Sequence, residues 1–249
     1  MRPARAGFVA GKIAHCVRRT WLHMIVSQKR GFIFFHNPKA AGTSFRTSIW
    51  EYHDFGRIFW GEEFSPYMNV TVDLAHLRSW ELPCVAPNLF EVLESYRKLV
   101  FVRNPARRFI SACFEHFAKF HPEIDFHHKD AVTQRSIIGN LIETRLNHLT
   151  VLSDFQLVHF SPQKWYVFLG ARRIADHILP VMSDHEDMSA AYDVLELPRR
   201  TLGREHRSSP ERYRSLMDST LDNFVKQFYR IDYEMLDSFD YLRPLIEQP

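Results

Sequence analysis

Residues 31–45 read GFIFFHNPKAAGTSF, and the fold turns on how this stretch is parsed. Phe32 to Phe35 form a short, continuous apolar run, the pattern of a strand buried on both faces. At His36 the chain becomes small, polar and basic, and from Gly42 the residues TSFRTSIWEYH read as a helix. A strand that feeds a Gly-containing turn and then a helix presents backbone N–H groups where the helix dipole is positive, which makes an anion site. Lys39, Gly42, Thr43 and Ser44 suit such a site: the glycine allows close approach, the two hydroxyls can donate, and the lysine brings a mobile charge. The plainer alternative is a capped helix start, with Thr43 or Ser44 as N-cap and Lys39 in solvent.

A nucleotide triphosphatase loop has the form GxxxxGK[ST], with the lysine directly after the second glycine and before the residue that holds magnesium. Here Lys39 precedes Gly42 by three positions, and no clear acidic strand end accompanies it. The loop therefore reads as a site for an anion delivered without a compulsory metal.

Working outward, short apolar runs alternate with helical stretches. VTVDLAHL (70–77) reads as an extended segment, and RKLVFVRNP (97–105) as a strand closed by Asn104-Pro105. ARRFISACFEHFAKF follows as a helix, with Phe109, Cys113 and Phe117 at spacings of four. RIADHILPV (173–181) is a fourth strand, with Pro180 inside it, and a helix over about 183–195 follows. The spacing predicts a last long helix over 210–230, N-capped by Ser209 with Pro210 at its first position. Strands separated by helices imply an α/β, three-layer domain: a central parallel sheet flanked by helices on both faces. Such sheets bind ligands at the carboxyl ends of their strands, where both HNPKAAGTS and VRNPARR lie. Arg103, at one strand end, and Ser111, eight residues on, can reach a single phosphate. Alternatively the arginine pairs with a carboxylate and the serine faces a neighbouring helix.

Composition bounds these readings. At 249 residues and 45% hydrophobic, the chain can build one sizeable core. Its net charge of +3 is a mild bias toward anions and excludes the dense basic stripe of a nucleic-acid binder. Cys16, Cys84 and Cys113 are widely spaced and odd in number, which suggests neither a disulfide framework nor a zinc ribbon and fits a reducing compartment. In the N-terminal segment 1–30, Lys12, His15, Arg18 and Arg19 interrupt an apolar run before it reaches the length needed to span a bilayer. It reads as an amphipathic helix docked on a single domain over 31–249, with peripheral membrane contact by its basic face as the alternative.

Together, PKAAGTS and VRNPARRFISACF resemble the paired phosphate-binding motifs of the sulfotransferase superfamily, in its carbohydrate-type branch. The first is similar to the 5′-phosphosulfate loop, usually PKTAGTS; the second is similar to the 3′-phosphate motif VRNPxxRxxSAxxxF. DLAHLRSW resembles the family's short segment carrying a histidine, HFSPQKWYVFL its HxxPQ stretch, and HRSSPERYRSLMDSTLDNF its closing loop and helix. Ala40 departs from the usual threonine of the first loop, and His206 from a common asparagine.

The resemblance implies a P-loop-NTPase-like sulfotransferase fold and transfer of a sulfuryl group from 3′-phosphoadenosine 5′-phosphosulfate (PAPS) to a hydroxyl of a carbohydrate or glycoconjugate. It assigns Lys39 and the backbone N–H groups of Ala41, Gly42, Thr43 and Ser44 to the 5′ side of the donor, and Arg103 and Ser111 to the 3′-phosphate. Arg207 and Ser208 join them from the closing loop. His76 is the implied general base, with Asp73 or Glu81 to orient it or take the proton. No metal is required. The rival readings are a lipid or small-molecule alcohol as acceptor, an ATP-dependent kinase, and a non-catalytic nucleotide- or glycan-binding module. Lacking an evident anchor and starting with Met, the chain is expected to be cytoplasmic. CFEHFAKFHPEIDFHHKD concentrates histidines at spacings that fit no standard zinc pattern, so it reads as a helix end and loop. Trp50, Trp60, Tyr67, Trp80 and Trp165 can include sugar platforms but read mostly as packing. Asn69, in NVT, is a glycosylation acceptor only in a secretory setting.

Overall fold

A computed structural model of the chain describes residues 24–56, 59–182, 188–200 and 210–247. Its strands are β1 (Ile25–Ser27), β2 (Phe32–Phe35), β3 (Glu62–Ser65), β4 (Val70–Asp73), β5 (Arg97–Arg103), β6 (Phe168–Leu169), β7 (Arg172–Arg173) and β8 (His177–Val181). The central sheet has the order β1-β2-β5-β8. β2, β5 and β8 run parallel, with Phe35 opposite Val100 and Arg103 opposite Val181. Strand alternation then divides the core. Ile33, Phe35, Val100, Val102 and Ile178 enter one apolar cluster, while Phe32, Phe34, Leu99, Phe101 and Val181 enter the cluster on the other face. On that second face Phe34 packs edge-on against both Phe45 and Phe101 with ring centroids 5.2 Å apart. The expected three-layer α/β architecture is thus present.

Three sequence expectations are corrected. The segment 1–30 does not end as a helix: β1 pairs antiparallel with β2 across a turn in which Gly31 takes φ 62°, so the sheet is mixed at this edge. Its residues 1–23 lie outside the described part of the chain. VTVDLAHL does contain a strand, β4, but it pairs with β3 in a separate antiparallel hairpin and then tightens into a helical turn at Leu74–His76. The last helix is broken into Pro210–Leu216, Ser219–Phe228 and Arg230–Asp237. Asp218 explains the first break, because its side chain accepts from Leu221 N at 2.9 Å and caps a new helix. The proposed cap Ser209 lies outside the described residues, as does the start of the helix expected from 183, whose described part is Ser189–Val194. Pro180 is tolerated because β8 is an edge strand among the described residues.

Two helices matter for the site. α1 (Gly42–Ile49) follows β2, and α2 (Pro105–Phe120) follows β5. Asn104 caps α2 by accepting from Ala106 N and Arg107 N at 2.9 and 3.0 Å, and Pro105 follows at the first helical position. Phe109, Cys113 and Phe117 point together into a third apolar cluster with Phe160, Leu221 and Val225, as their spacing requires.

Candidate active site

The loop between β2 and α1 carries two non-glycine residues in the left-handed region, Lys39 (φ 63°) and Ala41 (φ 57°). Such alternation turns successive backbone N–H groups inward as an anion-binding concavity. No side chain caps α1, so the first-turn N–H groups around Gly42, Thr43 and Ser44 keep their donor capacity where the helix dipole is positive. The capped-start alternative, with Thr43 or Ser44 as N-cap, is therefore set aside. Ala40 is fully buried in the apolar cluster under α1, so its methyl seats the loop on the sheet. Gly42 is required by its neighbour: a Cβ there would lie 2.6 Å from Cδ2 of His36 and 3.0 Å from its Nε2.

α2 lies alongside this loop. Arg108 is fully buried and donates from Nε to Pro38 O at 2.8 Å, and Lys39 Nζ meets Glu115 Oε2 at 3.2 Å. Ser111 follows Arg108 by three positions and precedes Glu115 by four, so it shares their face of the helix. Both of those neighbours touch the loop. Ser111 thereby lies on the face of α2 that meets the Lys39 loop. Arg103 stands at the carboxyl end of β5, beside the loop that leaves β2, and is buried. Arg207 and Ser208 lie outside the described residues, as does His206.

His76 is brought to the same place from the β3–β4 hairpin. Its ring centroid lies 4.9 Å from that of His36, the first residue of the loop, and 4.8 Å from that of His159. His76 Nδ1 donates to Asp73 Oδ2 at 3.0 Å, while Asp73 Oδ1 accepts from Ala75 N at 2.8 Å. Burial pushes the Asp73 carboxyl up, but the charge and hydrogen bond of His76 and the Ala75 N–H outweigh it and hold the group below the usual carboxylate range. With Nδ1–H committed to Asp73, Nε2 is the ring nitrogen whose lone pair remains to act as a base. Glu81 plays no part in this pairing; it is engaged by Arg78, whose N donates to Glu81 Oε2 at 2.6 Å and whose guanidinium bridges to Oε1. Arg46 Nη1 donates to His36 Nδ1 at 3.3 Å, which sets the histidine between α1 and the hairpin.

Sequence reasoning about roles passed over Arg108, Glu115, His36 and Gln163. Arg108 and Gln163 do stand inside the VRNPxxRxxS and HxxPQ patterns, which was the available signal. Three of the five aromatics read mostly as packing, Trp50, Trp60 and Tyr67, are instead exposed, at 48%, 49% and 84%. Phe64, on β3, is a further exposed ring. Among the described residues no group of three or more His, Cys, Asp or Glu is placed to hold a metal ion, and no helix is long and apolar enough to cross a membrane.

A family model described as Sulfotransferase family matches residues 22–241, well over half of the chain. No curated protein and no solved structure matches it.

Proposed function

The chain belongs to the sulfotransferase family, and from that premise we propose that it transfers a sulfuryl group from PAPS to a hydroxyl of a carbohydrate or glycoconjugate. The observation that carries the reading is the convergence of the Lys39 loop, Arg103 and the Ser111 face of α2 at the ends of two adjacent parallel strands, with His76 packed against the loop's first residue. One anion site is enough for a phosphate. Two on neighbouring strands suit a nucleotide phosphorylated at both its 3′ and 5′ positions.

PAPS fits the donor set. Lys39 and the N–H groups from Ala41 to Ser44 hold the 5′-phosphosulfate, and Arg103 with Ser111 holds the 3′-phosphate. Arg207 and Ser208 are assigned to the same nucleotide. The donor supplies the sulfuryl group and keeps the electron pair of the broken S–O bond, leaving as adenosine 3′,5′-bisphosphate. His76 Nε2 takes the proton from the acceptor hydroxyl as its oxygen bonds to sulfur, and Asp73 balances the imidazolium that results. Lys39 and the loop N–H groups offset negative charge growing on the departing phosphate oxygen, so positioning and fixed electrostatics do most of the work. No residue of this scheme needs a metal.

A carbohydrate acceptor is supported by the exposed rings Trp60, Phe64 and Tyr67, which lie on or beside the hairpin that leads into His76 and can stack on sugar faces. The test is transfer of labelled sulfate from PAPS to a panel of oligosaccharides, lipids and small alcohols, run with and without chelator and against ATP as donor. Sulfated oligosaccharide formed in the presence of chelator is the expected product. Transfer confined to lipid or small alcohols rejects the acceptor class, and phosphoryl transfer from ATP with magnesium rejects the reaction.

A further inference from the structure

We infer that Gln163 is a positioning residue that sets the separation between the two anion-binding turns, and with it the discrimination for a nucleotide carrying both phosphates. The inference rests on the donor reading above for its functional consequence, though not for its geometry.

β2 stops at Phe35, opposite Val100, and from there the chain swings away from β5 to build the Lys39 loop. This divergence opens the cleft, and it also deprives the last residues of β5 of a strand partner on that side. Buried backbone groups left without partners are costly, so something must replace β2. Two side-chain amides do so. Asn37 Nδ2 donates to Phe101 O at 2.9 Å and to Gln163 Oε1 at 3.0 Å. Gln163 Oε1 also accepts from Arg103 N at 2.9 Å, and its Nε2 donates to Arg103 O at 2.8 Å. The carboxamide of Gln163 thus satisfies both backbone groups of Arg103 that a neighbouring strand would otherwise pair, while holding the first turn of the loop through Asn37.

Gln163 is itself immobilised. It is fully buried, and Asp232, also fully buried, accepts from Gln163 N and Lys164 N at 2.9 Å each. The 5′ loop, the backbone of Arg103 and the helix carrying Asp232 therefore form one hydrogen-bonded unit. Only a side chain with a donor and an acceptor on one planar group, at glutamine's length, can serve Asn37 Nδ2 and both backbone groups of Arg103 at once.

The experiment measures binding of adenosine 3′,5′-bisphosphate and of 5′-AMP by calorimetry to the wild-type chain, Gln163→Ala and Asn37→Ala, with amide exchange at Arg103 followed in each. Unpairing these buried groups is expected to reduce the preference for the bisphosphate by about tenfold in Gln163→Ala, with 5′-AMP affinity changing much less. Arg103 N–H should exchange faster. Asn37→Ala cuts the link to the loop but keeps the pairing with Arg103, so it should lower the preference while Arg103 N–H stays protected. A folded Gln163→Ala with wild-type preference, or with an unchanged Arg103 amide, overturns the inference. If Gln163→Ala does not fold, an unchanged preference in Asn37→Ala does the same. A wild-type chain indifferent to the 3′-phosphate sinks the donor reading instead, and the Arg103 amide in Gln163→Ala then decides the clamp without any nucleotide.

Discussion

Asp73 Oδ2 accepts a hydrogen bond from His76 Nδ1 at 3.0 Å, with both side chains buried beside the first residue of the Lys39 loop. The pair fixes the tautomer and the ring plane of His76. Asp73→Asn should leave adenosine 3′,5′-bisphosphate affinity close to wild type and lower kcat by at least about tenfold, and His76→Gln should lower it by about 10²-fold or more. Single-turnover rates beside nucleotide calorimetry read the split. Parallel losses in affinity and turnover would remove His76 from the proton-transfer role.

Gly42 abuts His36 so closely that even a methyl group has no room. Gly42→Ala is expected to cost about 1–3 kcal/mol of folding stability by overpacking and to weaken donor binding by displacing the loop. Denaturant titration and nucleotide binding test both parts. A variant as stable as wild type would show that His36 yields easily and that the close contact is not a constraint.

Lys39 is held by Glu115 at 3.2 Å in a partly exposed pair, with the carboxylate 46% exposed. An anion entering the loop competes with that carboxylate for the same ammonium. Glu115→Gln should therefore tighten bisphosphate binding by about two- to fivefold, since such pairs contribute at most about 1 kcal/mol, and the gain should shrink as salt is added. Weaker binding in Glu115→Gln would mean that the carboxylate orients Lys39 toward the donor instead of competing with it.

His116 supplies a pH-dependent prediction about folding stability. Its Nδ1 donates to Gln156 O at 3.2 Å, while its buried Nε2 has no partner, so protonation would bury an N–H with no acceptor. Burial, only partly offset by the Gln156 carbonyl, pushes its pKa down to about 4. Below the unfolded value of about 6.5, unfolded chains bind this proton and folded chains do not, so stability is full above that pH and declines as pH falls toward about 4. The contribution lost is at most about 3 kcal/mol. Denaturation curves of wild type and His116→Phe from pH 7 to pH 4 should show the wild-type advantage shrinking across this window. A pH-independent difference would contradict the neutral buried imidazole.

Much of the candidate site could be read without coordinates because its two halves are local. Phe32–Phe35 with the Lys39 turn, and Arg97–Arg103 with Asn104-Pro105, are each a strand, a cap and a helix start in direct succession. Hydrophobic period and capping chemistry act between near neighbours, so they leave a pattern in the sequence. The antiparallel β1 escaped because three buried residues after a basic, apolar segment carry no period long enough to distinguish strand from helix. The break at Asp218 was similarly hidden inside an otherwise helical run until its capping bond was seen.

What only the tertiary structure decided is which residues, far apart in the chain, come into contact. Asn37 and Gln163 are 126 positions apart, and Gln163 and Asp232 are 69 apart. Each is an ordinary polar residue in its own stretch of sequence, and nothing nearby in the chain names its partner. Lys39 meeting Glu115, and His76 lying between His36 and His159, are likewise products of how the sheet brings its crossovers back to one edge. The sequence by itself determined two turns at strand ends, each leading into a helix, because caps and periodicity are short-range. Their separation depends on long-range hydrogen bonds that replace a missing strand partner, and such bonds leave no local pattern to read.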